Sequence, residues 1–186
     1  IFVLERANLR VKWNIRDFPE CARRSEMAAW KSGRDPFPVT AIAKITDLEY
    51  LDELKFVRHA RVHVKNTPQS LWQLSADFGA RMTAHPKGGD PYPLTITAPR
   101  GLYTDLASVP KALWWVVGPI GRHLEASIIH DYLYMAWTDF RDEAVRRDWD
   151  FADRMFLAAM KVSNVRRRWL IHAVVHSPIG WPVFRK

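Results

Sequence analysis

The chain has 186 residues, of which 48% are hydrophobic and nine are tryptophan, and this composition excludes an intrinsically disordered protein. Cys21 is the single cysteine, so no internal disulfide can form, which argues against a small secreted disulfide scaffold. The net charge of +8 favours polyanionic surroundings such as anionic lipid, nucleic acid or acidic partner subunits. Nucleic acid is the least favoured, because the sequence has no zinc-finger or RNA-recognition signature. No apolar run is long enough for a transmembrane helix.

Residues 1–60 are predicted to form an N-terminal extension with one helix. Residues 1–45 are irregular and are broken by DPFP, which is typical of a segment that lies over another surface, its own or a partner's. Thr46 and Glu49 have the spacing of a capping box, which predicts a helix through LEYLDELKF. Ile1 in place of Met predicts that an upstream segment, such as a targeting peptide, has been removed.

Residues 61–186 are predicted to form one domain with strands first and helices second. VHVK, LWQLSADF and PLTITA are short strand patterns separated by Pro and Gly turns. Helical periodicity follows over about residues 120–138, 142–162 and 164–177. The predicted fold class is α+β, with short antiparallel strands followed by a three-helix half.

Two polar residues interrupt the apolar faces of the first two predicted helices. His130 shares its stripe with Ala126, Ile129, Leu133 and Trp137, and Asp153 shares its stripe with Trp149, Phe156 and Met160. A buried carboxylate is costly unless it is hydrogen-bonded, so we expect the two side chains to meet across a helix pair. The carboxylate would then fix the imidazole tautomer and leave the other ring nitrogen as a proton acceptor. A pair that only pins the helices together explains the pattern equally well.

Two further carboxylates have the chemistry of a cation site. Asp131 lies roughly 100° around the helix from His130, and Asp105 lies where a strand pattern ends in a Ser-Val-Pro turn. Together with backbone carbonyls they suit calcium, although a Thr-Asp pair before a turn is also a common cap. His172 and His176 have the i, i+4 spacing of a metal pair but no His-Glu-x-x-His motif, so we interpret them as surface or interface histidines.

Three motifs, GLYTDLASVP, ASIIHDYLY and ADRMFLAAM, resemble an uncharacterised phage and prophage family with a domain of unknown function. The resemblance covers about residues 70–180, and the first 60 residues lie outside it. It implies that residues 61–186 form a phage-type domain and implies nothing about activity.

The His-Asp-x-x-Tyr helix, followed by Asp-x-x-Phe, is also similar to bacterial and fungal phospholipases of the A-two type. This resemblance implies a calcium-dependent esterase in which His130 is the general base and Asp153 orients it. It further implies that Asp131, Asp105 and the backbone carbonyl of Leu106 bind calcium.

The sequence leaves two hypotheses for the function. The favoured one is a non-catalytic accessory or structural subunit of a large assembly, a virion or an organellar complex, whose protein partners are bound by the N-terminal extension. The alternative is a calcium-dependent phospholipid esterase that docks on anionic lipid. An intracellular, mitochondrial or virion-associated location is expected rather than secretion.

Overall fold

A computed structural model describes residues 33–64, 67–104, 122–178 and 180–185. Within these ranges six strands and four helices follow one another along the chain. The strands are β1 (Ile42–Tyr50), β2 (Phe56–Val64), β3 (Thr67–Leu74), β4 (Phe78–Pro86), β5 (Tyr92–Ala98) and β6 (Tyr103–Thr104). The helices are α1 (Leu124–Phe140), α2 (Arg146–Val162), α3 (Arg168–Val175) and α4 (Gly180–Phe184).

The strands form two antiparallel sheets of three strands each. The first has the order β1-β4-β5 and the second has the order β2-β3-β6. The buried residues of β4 and β5 alternate with more exposed ones, so one face of the first sheet packs on the core. Helices α1 and α2 contact this sheet and each other. The predicted α+β class is confirmed, as is its order of strands before helices.

The helix predicted from Thr46 is wrong, because these residues belong to β1. The two residues that suggested a capping box make cross-strand contacts instead: Oγ1 of Thr46 lies 2.8 Å from Nε2 of His85, and Glu49 accepts a 2.8 Å hydrogen bond from Nε of Arg81. Asp47 has a φ of 50°, where the β1–β4 register shifts. The strand thus absorbs an extra residue in a bulge.

The strand predicted for LWQLSADF is in fact the end of one strand and the start of another. Its first residues close β3 and its last residue, Phe78, opens β4. The turn between them is held by Ser75, whose N–H donates to the Lys55 carbonyl, and by Asp77, whose carboxylate accepts from the Arg100 N–H at 2.7 Å. The Asp77 carboxylate thus ties this turn to the backbone that follows β5.

All three predicted helices are present, as α1, α2 and α3. Helix α1 is buried on most sides, as its apolar sequence predicts, and α2 is amphipathic. Among the described residues, none of the helices combines the length and the apolarity that a membrane crossing requires. The largest of the fully buried side chains come from both the sheet and the helices, and include Phe78, Met82, Ile96, Leu133, Phe151 and Phe156.

The residues just before β1 pack against the helices. Phe37 is buried and meets Phe151 edge to face, with ring centroids 6.3 Å apart. Asp35 accepts a 2.7 Å hydrogen bond from Arg141, which also bonds to the buried carboxylate of Asp148 at 2.9 Å. This part of the predicted extension therefore lies over the chain's own surface, while residues 1–32 are outside the described ranges.

Candidate active site around a buried histidine and aspartate

His130 and Asp153 meet between α1 and α2, as the two stripes predict. Nε2 of His130 lies 3.0 Å from Oδ1 of Asp153. The histidine is 4% exposed and the aspartate is fully buried. Phe156, one turn after Asp153, stacks on the imidazole with a centroid distance of 4.5 Å, which restricts the orientation of the ring. His130 and Asp153 thus form an ionisable, hydrogen-bonded pair in a site from which water is largely excluded.

Tyr134 is a second donor to the same carboxylate oxygen. Its hydroxyl donates to Oδ1 of Asp153 at 2.8 Å and accepts a 3.0 Å hydrogen bond from Nε1 of Trp149. Burial, and then the nearby Asp153 carboxylate, raise the pKa of the Tyr134 phenol, so the hydroxyl stays protonated and remains a donor. The sequence pattern contained Tyr134 in the HDYLY motif but gave it no role. Its i, i+4 spacing from His130 was the available signal.

Replacing Tyr134 with Phe should destabilise the protein by about 2 kcal/mol, because Nε1 of Trp149 and one position on Asp153 would lose their partner. The matched control is Tyr132→Phe on the same helix, since no hydrogen bond to that hydroxyl is found among the described residues. Urea unfolding of both variants measures the difference. Equal losses of unfolding free energy in the two variants would show that the hydrogen bonds of the Tyr134 hydroxyl do not stabilise the protein.

His176 supplies the third hydrogen bond, from α3's C-terminal end. Its Nδ1 lies 2.9 Å from Oδ2 of Asp153, and its ring stacks on Trp149 with a centroid distance of 4.6 Å and an interplanar angle of 14°. The ring of His176 is about one-third exposed and so lies at the surface, but it also takes part in the buried network, a role that the sequence interpretation did not include. No pattern in the sequence indicated that the end of α3 would reach α2 at this residue.

The three bonds determine which nitrogens carry protons. An ionised carboxylate only accepts hydrogen bonds, so Nε2 of His130 and Nδ1 of His176 must both be donors. Nδ1 of neutral His130 is then an unprotonated acceptor, and no described residue hydrogen-bonds to it. The buried carboxylate of Asp153 has no guanidinium or ammonium partner among the described residues and is compensated by these three donors. This arrangement can accept a proton from water at Nδ1 and stabilise the resulting imidazolium.

His172 lies beside the network without joining it. Its ring stacks on His176 at a centroid distance of 5.2 Å, and its Nε2 is a buried atom for which the described part of the chain supplies no hydrogen-bond partner. Burial, opposed by the Asp153 charge, lowers the pKa of His172 below the usual 6.5. Burial also lowers the pKa of His123, which lies just before α1.

These two lowered pKa values predict that acid weakens the fold. Between the folded pKa and 6.5 the unfolded chain binds more protons than the folded one, so the free energy of unfolding falls as the pH falls through this window. His172→Phe keeps the stacked ring and removes the titrating nitrogen, so this variant should lose less stability on acidification than the wild type. Urea unfolding in a pH series that crosses 6.5 tests this, and parallel curves for the two proteins would contradict it.

The residues predicted to bind calcium are described only in part. Asp131 is half-buried on α1, and the hydroxyl of Thr104 at the end of β6 donates to its carboxylate at 3.5 Å. Asp105 and Leu106 lie outside the described residues. Within the described ranges no cluster of three or more His, Cys, Asp or Glu has metal-binding geometry.

The hydroxyl of Ser127 is a further polar group on α1, close in sequence to His130 and Asp131. Ser127 is 2% exposed, and its hydroxyl has no hydrogen-bond partner among the described residues. It is three residues before His130 and four before Asp131, so the three side chains share one side of the helix. An unpaired buried hydroxyl costs about 1–3 kcal/mol and calls for an explanation, for which a bound ligand is one candidate.

Comparison with known proteins places this site inside a family match. Residues 87–175 match the model of a family described as "Protein of unknown function (DUF1353)", and this range contains His130, Asp131 and Asp153 but ends one residue before His176. The chain is also similar to "Uncharacterized protein y4jT" of Sinorhizobium fredii, with 39% identity over 67 residues. That match covers 35% of this chain and 18% of the relative, so the chain spans less than a fifth of that protein's length. No solved structure matches.

Proposed function

We propose that this chain is a hydrolase that cleaves a phospholipid ester with His130 as the general base. The observation that carries the proposal is the hydrogen bond from Nε2 of His130 to the buried Asp153, since it leaves Nδ1 as a proton acceptor. Two neighbours add support. Asp131 follows the base directly, and the buried hydroxyl of Ser127 lies one turn before it with no partner among the described residues.

The proposed reaction begins with a water molecule hydrogen-bonded to Nδ1 of His130. The water oxygen forms a bond to the carbonyl carbon of the ester while its proton passes to Nδ1, and Asp153 stabilises the imidazolium. The bond between this carbon and the alkoxy oxygen then breaks, and the imidazolium returns the proton to that oxygen. The products are a fatty acid and a lysophospholipid.

The carboxylates of Asp131 and Asp105, with the carbonyl of Leu106, would hold calcium in this proposal. Oxygen donors of this kind are the ones calcium prefers, and the half-buried carboxylate of Asp131 fits such a role. Bound calcium would polarise the ester carbonyl as a Lewis acid. We propose as well that the domain is of phage type and that its motifs are similar to those of phospholipases of the A-two type.

The experiment is fatty-acid release from mixed phosphatidylcholine–phosphatidylglycerol vesicles, measured in calcium and again in excess chelator. Calcium-dependent release, with lysophospholipid as the second product, is the expected result. A folded chain that releases no fatty acid in either condition would overturn the proposal. Folding is checked independently by circular dichroism and by a cooperative urea transition.

A second candidate function is the non-catalytic accessory or structural subunit of a virion or organellar complex. It is favoured by the number of helices that Asp153 joins: α1 contributes His130 and Tyr134, and α3 is followed directly by His176. A network of this kind specifies how three helices pack, whether or not it does chemistry. In this function the vesicle assay is negative, and the folded chain purifies from its host within a larger protein complex.

A further inference from the structure

Nearly all the net charge of the protein lies in the last part of its sequence. Residues 154–186 contain no Asp or Glu and seven basic residues, Arg154, Lys161, Arg166, Arg167, Arg168, Arg185 and Lys186. The preceding 153 residues contain 21 basic and 20 acidic residues, so they are close to neutral. The excess of positive charge in the sequence therefore lies in the segment that begins within α2 and continues through α3 to the last residue.

Part of this basic segment carries large exposed apolar side chains. Trp169 is 64% exposed, and Val162 and Leu170 are each 46% exposed. Lys161 and Arg166 are exposed next to them in the chain. We call these five residues, from the end of α2 to the first turns of α3, the corner surface.

Buried side chains of α3 and of the connection before it lie behind the corner surface. Ile171 and Val175, on the opposite side of α3, are fully buried, and Val165 in the connection is buried as well. Asn164 takes a φ of 53°, a left-handed conformation that ends α2 and turns the chain into the connection to α3. Glu125 is half-buried and accepts a 3.2 Å hydrogen bond from the hydroxyl of Ser163, which lies in the connection between α2 and α3. The apolar side chains of the corner are thus held outwards by a packed helix.

We propose that the corner surface docks on a membrane surface that carries anionic phospholipid headgroups. Tryptophan and leucine have the chemistry to enter the boundary between headgroups and acyl chains, while Lys161 and Arg166 complement the phosphate charge. An acidic protein would satisfy the charges, but it would not by itself explain an exposed Trp flanked by basic residues. The proposal rests on the proposed function, for which it supplies the route to the substrate.

The corner surface and the candidate active site are joined through α3. Trp169 lies on the first turn of this helix, and His176, directly after its last turn, bonds to Asp153. Docking through Trp169 would therefore bring the helix that supports Asp153 against the lipid surface.

The test is co-sedimentation with vesicles under excess chelator, so that binding is measured without calcium-dependent hydrolysis. We expect binding to phosphatidylcholine–phosphatidylglycerol vesicles, weak binding to pure phosphatidylcholine, and loss of binding at high salt. The double variant Lys161→Gln, Arg166→Gln should lower the partition coefficient on the order of 30-fold. Trp169→Ala should lower it about tenfold.

Matched control variants remove the same groups elsewhere. Lys44→Gln with Lys87→Gln removes two exposed charges from the first sheet and its β4–β5 turn, and Val39→Ala shortens an 86% exposed apolar side chain. Both controls should bind vesicles almost as the wild type does. Controls that lose as much binding as the corner variants would overturn the proposal, because net charge alone would then explain the binding.

Two further outcomes would also overturn it. One is the absence of binding to anionic vesicles at low salt. The other is binding to duplex DNA that exceeds binding to the vesicles and survives Trp169→Ala, which would assign the basic segment to a nucleic acid. Failure of docking and failure of the proposed hydrolysis are distinguishable, since hydrolysis can also be measured on dispersed short-chain phospholipid, which requires no membrane surface.

Discussion

His130→Gln should lower the rate of ester hydrolysis about 1000-fold and leave the protein folded. The amide nitrogen of Gln can take the place of Nε2 and still donate to Asp153, so the buried carboxylate keeps a partner. The amide has no group that accepts a proton from water at neutral pH, so the base is removed. The measurement is kcat for fatty-acid release under saturating lipid and calcium.

The matched control for this prediction is His85→Gln. His85 is half-buried on β4 and contacts Thr46, away from the α1–α2 pair. Its substitution should leave kcat within a factor of two of the wild type. If His130→Gln retains the wild-type rate while the urea transition shows a native fold, His130 is not the base and the network is structural.

Asp153→Ala should cost about 4 kcal/mol of unfolding free energy, because three donors, two of them buried, lose one acceptor at once. His130 and Tyr134 would have no water to replace the carboxylate, since both are nearly inaccessible. Asp153→Asn should cost roughly half as much, because its amide oxygen can still accept two of the bonds. Urea unfolding of both variants gives the comparison, and the Asn variant remains measurable where the Ala variant fails to fold.

The control is Asp150→Asn, three residues earlier on α2. The Asp150 side chain is 43% exposed, and its carboxylate is 3.9 Å from Nε2 of His176, so its removal should change stability by less than about 0.5 kcal/mol. A loss below about 1 kcal/mol for Asp153→Ala would contradict the account of a carboxylate that holds three helices together.

The central pair could be predicted from sequence because both residues lie on helices with a clear apolar period. A polar residue at an inward position of such a helix has few ways to be satisfied, and two neighbouring helices with one such residue each suggest the pair His130–Asp153. The same argument could not find His176. Its helix is only eight residues long, and its i, i+4 relation to His172 resembled a surface pair.

The first strand could not be predicted because a local rule competed with long-range pairing. Thr46 and Glu49 fit the start of a helix, but β4 offers them partners in His85 and Arg81. A rule that uses only the spacing of residues within one segment cannot predict such cross-strand pairs. The long-range pairing joins β1, which precedes the predicted domain boundary at residue 60, to β4, which follows it.

The calcium prediction rests on Asp105 and Leu106, which lie outside the described residues, and on Asp131. Its support is chemical, from the oxygen donors and the Thr104–Asp131 contact. Calcium titration of the wild type and of Asp131→Asn, followed by the midpoint of thermal unfolding, probes it without reference to activity. Stabilisation by calcium in the wild type and its loss in the variant are the expected results. Equal midpoints with and without calcium in the wild type would contradict the site.

The proton positions on His130 can be read directly from imidazole nitrogen chemical shifts in histidine-labelled protein at neutral pH. We expect a protonated Nε2 that donates to Asp153 and an unprotonated Nδ1. The chemical shift of the proton on Nε2 should change in Asp153→Ala, because its hydrogen bond to Asp153 is removed. A His130 that carries its proton on Nδ1 would contradict the account, because the nitrogen proposed as the base would then have no lone pair to accept a proton from water.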